Sequence, residues 1–324
     1  MIDQSRGLGV LEDARFVAER ARHVHLDSEA VEAVAADLIR REVPVPTWNA
    51  DLHFTDGTPR TANYLLLLDA LNFSFWGDPR WYIEYRGQSL RGYWALAASL
   101  KRAIEEGLPV DDARFMAEIT PDQLRHILRG TGDIPLFDYR VAHMREVGHQ
   151  LLALYDGQFT HAIESCKQSA VALTRLLARD FPNFEDVSPY EGRVIRIYKR
   201  AQILPADLFG AFGGKTWGEF HDIGELTAFA DYKVPQVLEK LGILRYSPEL
   251  EAKLRAGTVL PHHSAEEVEL RALTIWGTEA LRQAMARQGR EVKAIEVDWL
   301  LWDMGLTIQP PKDKPYHLTR TTAY

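Results

Sequence analysis

The stretch "TANYLLLLDALNFSF", residues 61–75, decides the reading of the fold. Its apolar side chains recur at helical spacing nearly all round the axis, which describes a helix buried on every side. The longest apolar run within it, "YLLLL" at 64–68, is far too short to span a bilayer, so other protein must bury it. Outward from this centre the helical period dominates. "LEDARFVAERARHV" and "DSEAVEAVAADLIRRE" are amphipathic, the second opening on Asp27 or Ser28 as a cap and ending before Pro44. "TPDQLRHILRG" carries Thr120 as N-cap, Pro121 at the first helical position and Gly130 past the end. Residues 136–156 and 160–179 read as two long helices, "SPELEAKLRAG" as a short capped one and "SAEEVELRALTIWGTEALRQAMARQG" as a long one. "AIEVDWLLWDMG" is a last apolar helix ended by Gly305.

Strand signals are thin. "RWYIEYRG" (80–87) fits a short strand, and "RVIRIYKRAQI" alternates enough to fit strand or helix. Neither is spaced for a βαβ sheet. The expectation is an all-α chain with at most a short β element, residues 1–324 forming a single helical domain, with two lobes around a central cleft as one arrangement. The tail after "QPPKDKP" reads as extended.

With 26% charged and 46% hydrophobic residues, the chain has the profile of a soluble globular protein. A net charge of −8 argues against a general nucleic-acid binder, although one local pair of basic residues suffices to hold one phosphate. The single cysteine, Cys166, reads as a small core hydrophobe. The opening "MIDQSRGLGV" lacks a basic-then-apolar signal pattern, and a cytoplasmic protein is expected. "GAFGGKT" (210–216) imitates a phosphate loop, but the required first glycine is Phe209 and no clear strand precedes it. His262 and His263 are adjacent and read as a solvated loop pair. No metal and no cofactor are implied.

Four stretches combine carboxylates or basic groups with aromatic and apolar residues. "TWNADLHF" (47–54) holds Trp48, Asp51 and His53; "IYKRAQIL" places Lys199, Arg200 and Gln202 in an apolar run. "FHDIGELTAFADY" reads as a helix that carries Asp231 beside Phe229 and Tyr232 and breaks before Pro235, with Lys233 between. In "VDWLLWDMG", Asp298 shares a helix face with Trp302, and Trp299 with Asp303. Asp298 and Asp303 stand about 140° apart on an ideal helix, so they meet in one pocket only if the helix end bends around it. Each group has a plainer role open to it: Asp231 as a cap or an ion-pair partner of Lys199 or Lys233, the aromatics as core. Burying an unpaired carboxylate costs several kcal/mol, so such groups tend to be paired or functional. Aromatic faces with acceptors aimed at ring N–H groups suit a purine-like base.

Together "TWNADLHF", "LLDALNFSFW", "YKRAQIL", "FADYKVPQVLEKLG", "EEVELRALTIWG" and "VDWLLWDMG" closely resemble the queuosine salvage protein family, the queuosine 5′-phosphate N-glycosylase/hydrolases. The resemblance runs from about residue 40 to the tail. It implies an all-α fold related to DNA glycosylases and release of queuine from queuosine 5′-monophosphate, with no stable nucleic-acid or membrane partner. It places Asp231 on the family's catalytic aspartate, and His53, Phe229, Tyr232, Asp298, Trp299 and Asp303 in segments associated with the base pocket. Lys199 and Arg200 are candidates for the 5′-phosphate. Lys199 is equally a candidate partner for Asp231, and Lys233 a weaker phosphate candidate.

The chemistry fits those residue types. Glycosidic cleavage passes through an oxocarbenium-like state, and a carboxylate near the anomeric carbon stabilises it electrostatically or attacks it. Two other classes remain open at this stage. A DNA-repair glycosylase should carry a basic duplex-binding face and a Leu-Pro-Gly-Val-Gly-like hairpin before its aspartate, and "IGELTAFADY" has none. A non-catalytic binding protein for queuosine would tolerate loss of the charge on Asp231.

Overall fold

The computed structural model describes residues 7–307 and 315–324. In chain order, α1 (Val10–Ala18) leads to β1 (Val24–Leu26), α2 (Ser28–Arg40) and α3 (Pro59–Ala70). The hairpin β2 (Tyr82–Tyr85) and β3 (Gln88–Arg91) precedes α4 (Gly92–Glu105), α5 (Ala113–Glu118), α6 (Pro121–Ile127) and α7 (Phe137–Leu154). Next come α8 (Phe159–Ser165), α9 (Ala170–Asp180), the hairpin β4 (Val187–Tyr190) and β5 (Arg193–Arg196), and α10 (Lys199–Ala211). The chain continues through α11 (Val234–Lys240), β6 (Leu244–Tyr246), α12 (Pro248–Arg255), α13 (Ala265–Arg287) and α14 (Ala294–Thr307). The class is all-α, as the periodicity predicts. Strand content exceeds the single short element expected: among the described residues three short antiparallel pairs form, β1–β6, β2–β3 and β4–β5.

Local signals explain the boundaries. Asp27 caps α2 by accepting the Ala30 N–H at 3.0 Å, and Thr120 and Gln123 form a reciprocal capping box on α6. The ambiguous "RVIRIYKRAQI" divides in two, strand up to Arg196 and helix from Lys199, with Tyr198 at φ 51 making the break. The helix expected over 160–179 is likewise two helices. Lys167 and Gln168 turn the chain with φ of 51 and 61, and Ser169 restarts it by capping Ala172 at 3.0 Å. No helix forms over "FHDIGELTAFADY" beyond a 3₁₀ turn at Ile223–Glu225. Pro235 therefore opens a helix instead of ending one, in the first turn where its missing N–H is harmless. Helix α14 runs past Gly305 to Thr307. Most of "QPPKDKP" lies outside the described residues; beyond it Leu318 bridges Val259 in extended chain.

The described residues gather into two compact units, each drawing on separated segments. The first draws on Met1–Pro46, Asp186–Lys199 and Gly224–Thr321. Its centre is α13, against which α1, α2, α11, α14 and β1 pack. The buried Glu269 of α13 accepts the N–H groups of Arg22, His23 and Val24 at 3.0, 2.6 and 3.1 Å, which fixes the turn between α1 and β1. The second unit draws on Thr47–Glu185, Arg200–Ile223 and Thr322–Tyr324. At its centre is α3, buried from Thr61 to Ala70 as "YLLLL" requires and packed on α4, α7 and α8. Each of its four buried leucines contributes roughly 1.5–3 kcal/mol. Its Asn63 is satisfied from neighbouring turns, donating to the carbonyls of Asp111 and Gly157 at 2.9 and 3.1 Å. A Cβ at Gly148 would lie 2.2 Å from the Ala117 nitrogen, so α5 and α7 pack closely only with glycine there.

Candidate active site

The site is built from the first unit's irregular strand of chain ahead of α11. Residues 227–230 are buried, and Asp231 follows where the chain turns into the helix, still partly exposed. Its Oδ1 accepts the N–H groups of Lys233 and Val234 at 2.7 and 2.8 Å, satisfying donors that the start of α11 leaves open. The side chain is thus held by backbone on one oxygen. Dense packing around the carboxylate pushes its pKa above the usual range; the Lys199 charge and the two N–H groups pull the other way without cancelling the rise.

Lys199 is brought to Asp231 by the β4–β5 hairpin. Glu191 and Gly192, both at positive φ (44 and 78), close the hairpin, as a tight two-residue turn demands. Its register pairs Val187 with Arg196, so the residues just outside, Asp186 and Ile197–Lys199, meet at its open end. There the Asp186 carbonyl accepts from the N–H groups of Ile197 and Tyr198, and its carboxylate accepts from Lys199 N–H at 3.0 Å. Lys199 itself is buried.

Asp298 reaches the same chain from α14. Its Oδ1 accepts the Phe229 N–H at 2.9 Å, and both residues are buried. Burial, reinforced by the nearby Asp231 charge, raises its pKa well above the carboxylate range against the pull of the Phe229 N–H and Lys199. Two carboxyl groups and one ammonium therefore share this neighbourhood. Both shifts favour the protonated acid, more strongly at Asp298 than at Asp231.

The sequence is similar to those of a named family and of several named proteins. The family described as queuosine salvage protein matches residues 52–324. A protein of Sphaerobacter thermophilus called queuosine 5′-phosphate N-glycosylase/hydrolase is 52% identical over 324 residues, the full length of both chains. Proteins of the same name from Bos taurus and Schizosaccharomyces pombe are 37% and 35% identical, the alignments covering 97% and 94% of this chain and 98% and 94% of theirs. This chain belongs to the queuosine salvage protein family.

Of the residues singled out in the sequence, the structure brings Asp231, Phe229, Asp298 and Lys199 together. Other candidates lie apart in role. Asp303 is exposed on α14 while Asp298 is buried, so the helix does not carry the two to one pocket. Trp299 is partly exposed, and Tyr232 packs its ring on Tyr316 with centroids 4.6 Å apart. Lys233 directs its ammonium to the Gly305 carbonyl at 3.2 Å, near the C-terminal end of α14 where a cation is favoured.

Arg200 and His53 belong to the second unit. The Arg200 guanidinium is buried and turned inward, donating to the Asp69 and Ala70 carbonyls at 3.2 and 2.8 Å and to Asn183. That geometry makes it a structural cross-link and offers a phosphate little. His53 stacks on Trp48 with centroids 4.0 Å apart. Its Nδ1 lies 2.7 Å from the Asn49 carbonyl and so carries the proton, while Nε2 lies 2.8 Å from the Tyr93 hydroxyl. Burial lowers its pKa to about 4, leaving a neutral ring. His262 and His263 lie in a turn with His263 exposed, as expected of a loop pair; with His263 at φ 66 their rings stack at 3.7 Å, and His263 Nδ1 meets Ser188 Oγ at 2.9 Å. "GAFGGKT" begins in the last two residues of α10 and follows no strand, which is not the strand–loop–helix setting of a phosphate loop. Cys166 is buried, in keeping with its core reading. Among the described residues no group of acidic, histidine or cysteine side chains is arranged to hold a metal ion, and no helix is long and apolar enough to cross a membrane.

Two residues escaped the sequence reading, Asp186 and Arg271. Arg271, wholly buried on α13, donates to both Asp186 oxygens at 2.7 and 2.6 Å. The available signal was the pair Glu267 and Arg271, four apart inside the apolar run "EEVELRALTIWG".

Proposed function

We propose that this protein hydrolyses the N-glycosidic bond of queuosine 5′-monophosphate and frees queuine for re-use in tRNA modification. The observation that carries the reading is the Asp231 carboxylate, anchored by two backbone N–H groups with a buried ammonium beside it, in a chain whose relatives bear that activity in their names. As the C1′–N bond breaks, its electron pair leaves with the base and positive charge grows on the ribose ring. Asp231 meets that charge, by electrostatics or by transient bonding to C1′, and water supplies the hydroxyl that ends on the ribose. Queuine is a 7-deazaguanine, so the nitrogen on which purines are usually protonated is a carbon. Help for the departing base must come through its remaining polar edge. Asp298, whose Oδ1 holds the Phe229 N–H and whose burial favours the protonated acid, has its other oxygen to turn to a guanine-like O6 or N1–H edge. Phe229 and Trp299 are the rings we assign to base recognition, with Tyr232 and Asp303 at its margin. Lys199 acts on Asp231 in this scheme instead of holding the phosphate. The reaction is that of a small-molecule enzyme working in the cytoplasm without a cofactor or a stable nucleic-acid partner.

Chromatography of purified protein incubated with queuosine 5′-monophosphate tests this, with guanosine 5′-monophosphate alongside. Free queuine from the first and no guanine from the second is the expected result. Tight binding of the first without any release would replace hydrolysis by the binding-protein reading.

A further inference from the structure

A buried ion pair behind Asp231 and Lys199 has no part in the chemistry above. Arg271 holds Asp186 through two parallel bonds, Nη1 to Oδ1 and Nη2 to Oδ2, and its Nε donates to the Ala230 carbonyl at 3.2 Å. Ala230 directly precedes Asp231. Asp186 in turn accepts from the Lys199 N–H with the same Oδ2, and its carbonyl holds Ile197 and Tyr198. One guanidinium thus grips the residue before Asp231 on one edge and, through a single carboxylate, the backbone of Lys199 on another. Glu267, one turn earlier on α13, lies 3.8 Å from the same guanidinium.

Stability alone is a weak reason for such a pair. The cost of drying two charges offsets most of their attraction, and apolar residues of equal volume often hold a fold as well. What a planar fork adds is direction: three fixed donors aimed at two separate segments. We propose that Arg271 and Asp186 are positioning residues, which set the Lys199 ammonium against the Asp231 carboxylate. The inference rests on the reading of Asp231 as the catalytic group, but its first readout does not.

The charged groups acting on Asp231 are Lys199, Lys233 and Asp298. Around Arg271 stand Asp186, Glu267, His263 and His317, with His262 against Glu267. Arg271→Lys keeps the positive charge but cannot reach both Asp186 oxygens and the Ala230 carbonyl. Asp186→Asn keeps the shape but leaves one acceptor oxygen where two are used. In either variant Lys199 drifts from Asp231, which loses the attraction that lowers its pKa.

The experiment follows the ionisation of Asp231 by carboxyl ¹³C NMR in aspartate-labelled full-length protein, together with kcat and KM for queuosine 5′-monophosphate across pH. The midpoint of Asp231 should rise in both variants, and the acid limb of kcat should move up with it. A displacement near 1 Å lowers kcat by about 10²-fold, with KM changed far less. Glu269→Gln, on the same helix but holding the α1–β1 turn, controls for stability: it should lower Tm and leave both the midpoint and kcat in place. If Arg271→Lys does not fold, Asp186→Asn carries the same comparison. Folded variants with an unmoved midpoint and kcat would overturn the proposal. Wild-type protein that releases no queuine would instead sink the proposed function, while the Asp231 midpoint still decides the positioning role.

Discussion

Asp231→Asn separates catalysis from stability, because the structure assigns opposite signs to its two effects. The amide oxygen can still accept from Lys233 and Val234, so the turn into α11 survives. What disappears is the charge. A fixed charge aimed at a developing one is worth roughly 3–4 kcal/mol, which predicts a loss of about 10²–10³-fold in kcat. The stability effect follows from linkage. The folded pKa of Asp231 lies above its ordinary value even after the help of Lys199 and the two N–H groups is counted. An unfolded aspartate therefore ionises at lower pH than the folded one, and as pH rises through that window the native state binds more protons and loses stability. Wherever Asp231 is ionised, it is a net burden on the fold. Removing it should leave Tm unchanged or higher, the usual sign of a site where function opposes stability. Thermal unfolding by circular dichroism and single-turnover release of queuine, both near pH 7, test the pair of effects. A variant that unfolds at markedly lower temperature, or that keeps more than a third of wild-type turnover, would refute the argument.

Other outcomes follow from the same structure. The acid limb of kcat should fall at a pH above the ordinary aspartate range, since Asp231 must be ionised to act and burial delays that ionisation; a pH–rate profile with a limb at or below that range contradicts it. Activity should decline again at high pH once Asp298 loses its proton, and Asp298→Asn should abolish that alkaline limb while preserving the bond to the Phe229 N–H. Leu66→Ala, at the fully buried centre of α3, should cost about 2–5 kcal/mol in chemical denaturation. Glu269→Ala leaves the N–H groups of Arg22, His23 and Val24 without their acceptor, at about 1–3 kcal/mol each where water cannot replace it, and equilibrium unfolding measures the sum.

The helices were legible where sequence-local physics decides them. Thr120 with Pro121 and Gln123, Ser247 with Pro248, and the apolar surround of "YLLLL" each specify structure within one or two turns. The misread segments were those in which backbone conformation overrides an apolar period. Positive φ at Lys167, Gln168 and Tyr198 breaks runs that alternate or repeat smoothly in sequence. "FHDIGELTAFADY" has helical spacing because its apolar residues are buried from an irregular chain, for which spacing carries no geometric meaning. The site divides in the same way. Asp231, Phe229, Asp298 and Lys199 stood out because carboxylates and an ammonium in apolar runs need a reason. Asp186 did not, because nothing near it in sequence marks it. Its partner Arg271 is 85 residues away, and the pair exists only once the β4–β5 hairpin and α13 have both formed. An i,i+4 Glu–Arg pair is ordinarily a solvated helix face, and Glu267 and Arg271 acquire another meaning only through complete burial. The reactive groups are therefore local features of the chain, whereas their mutual placement depends on contacts that no short stretch of sequence contains. On this argument a substitution at Arg271 far from Asp231 in sequence should resemble an active-site substitution in its kinetics.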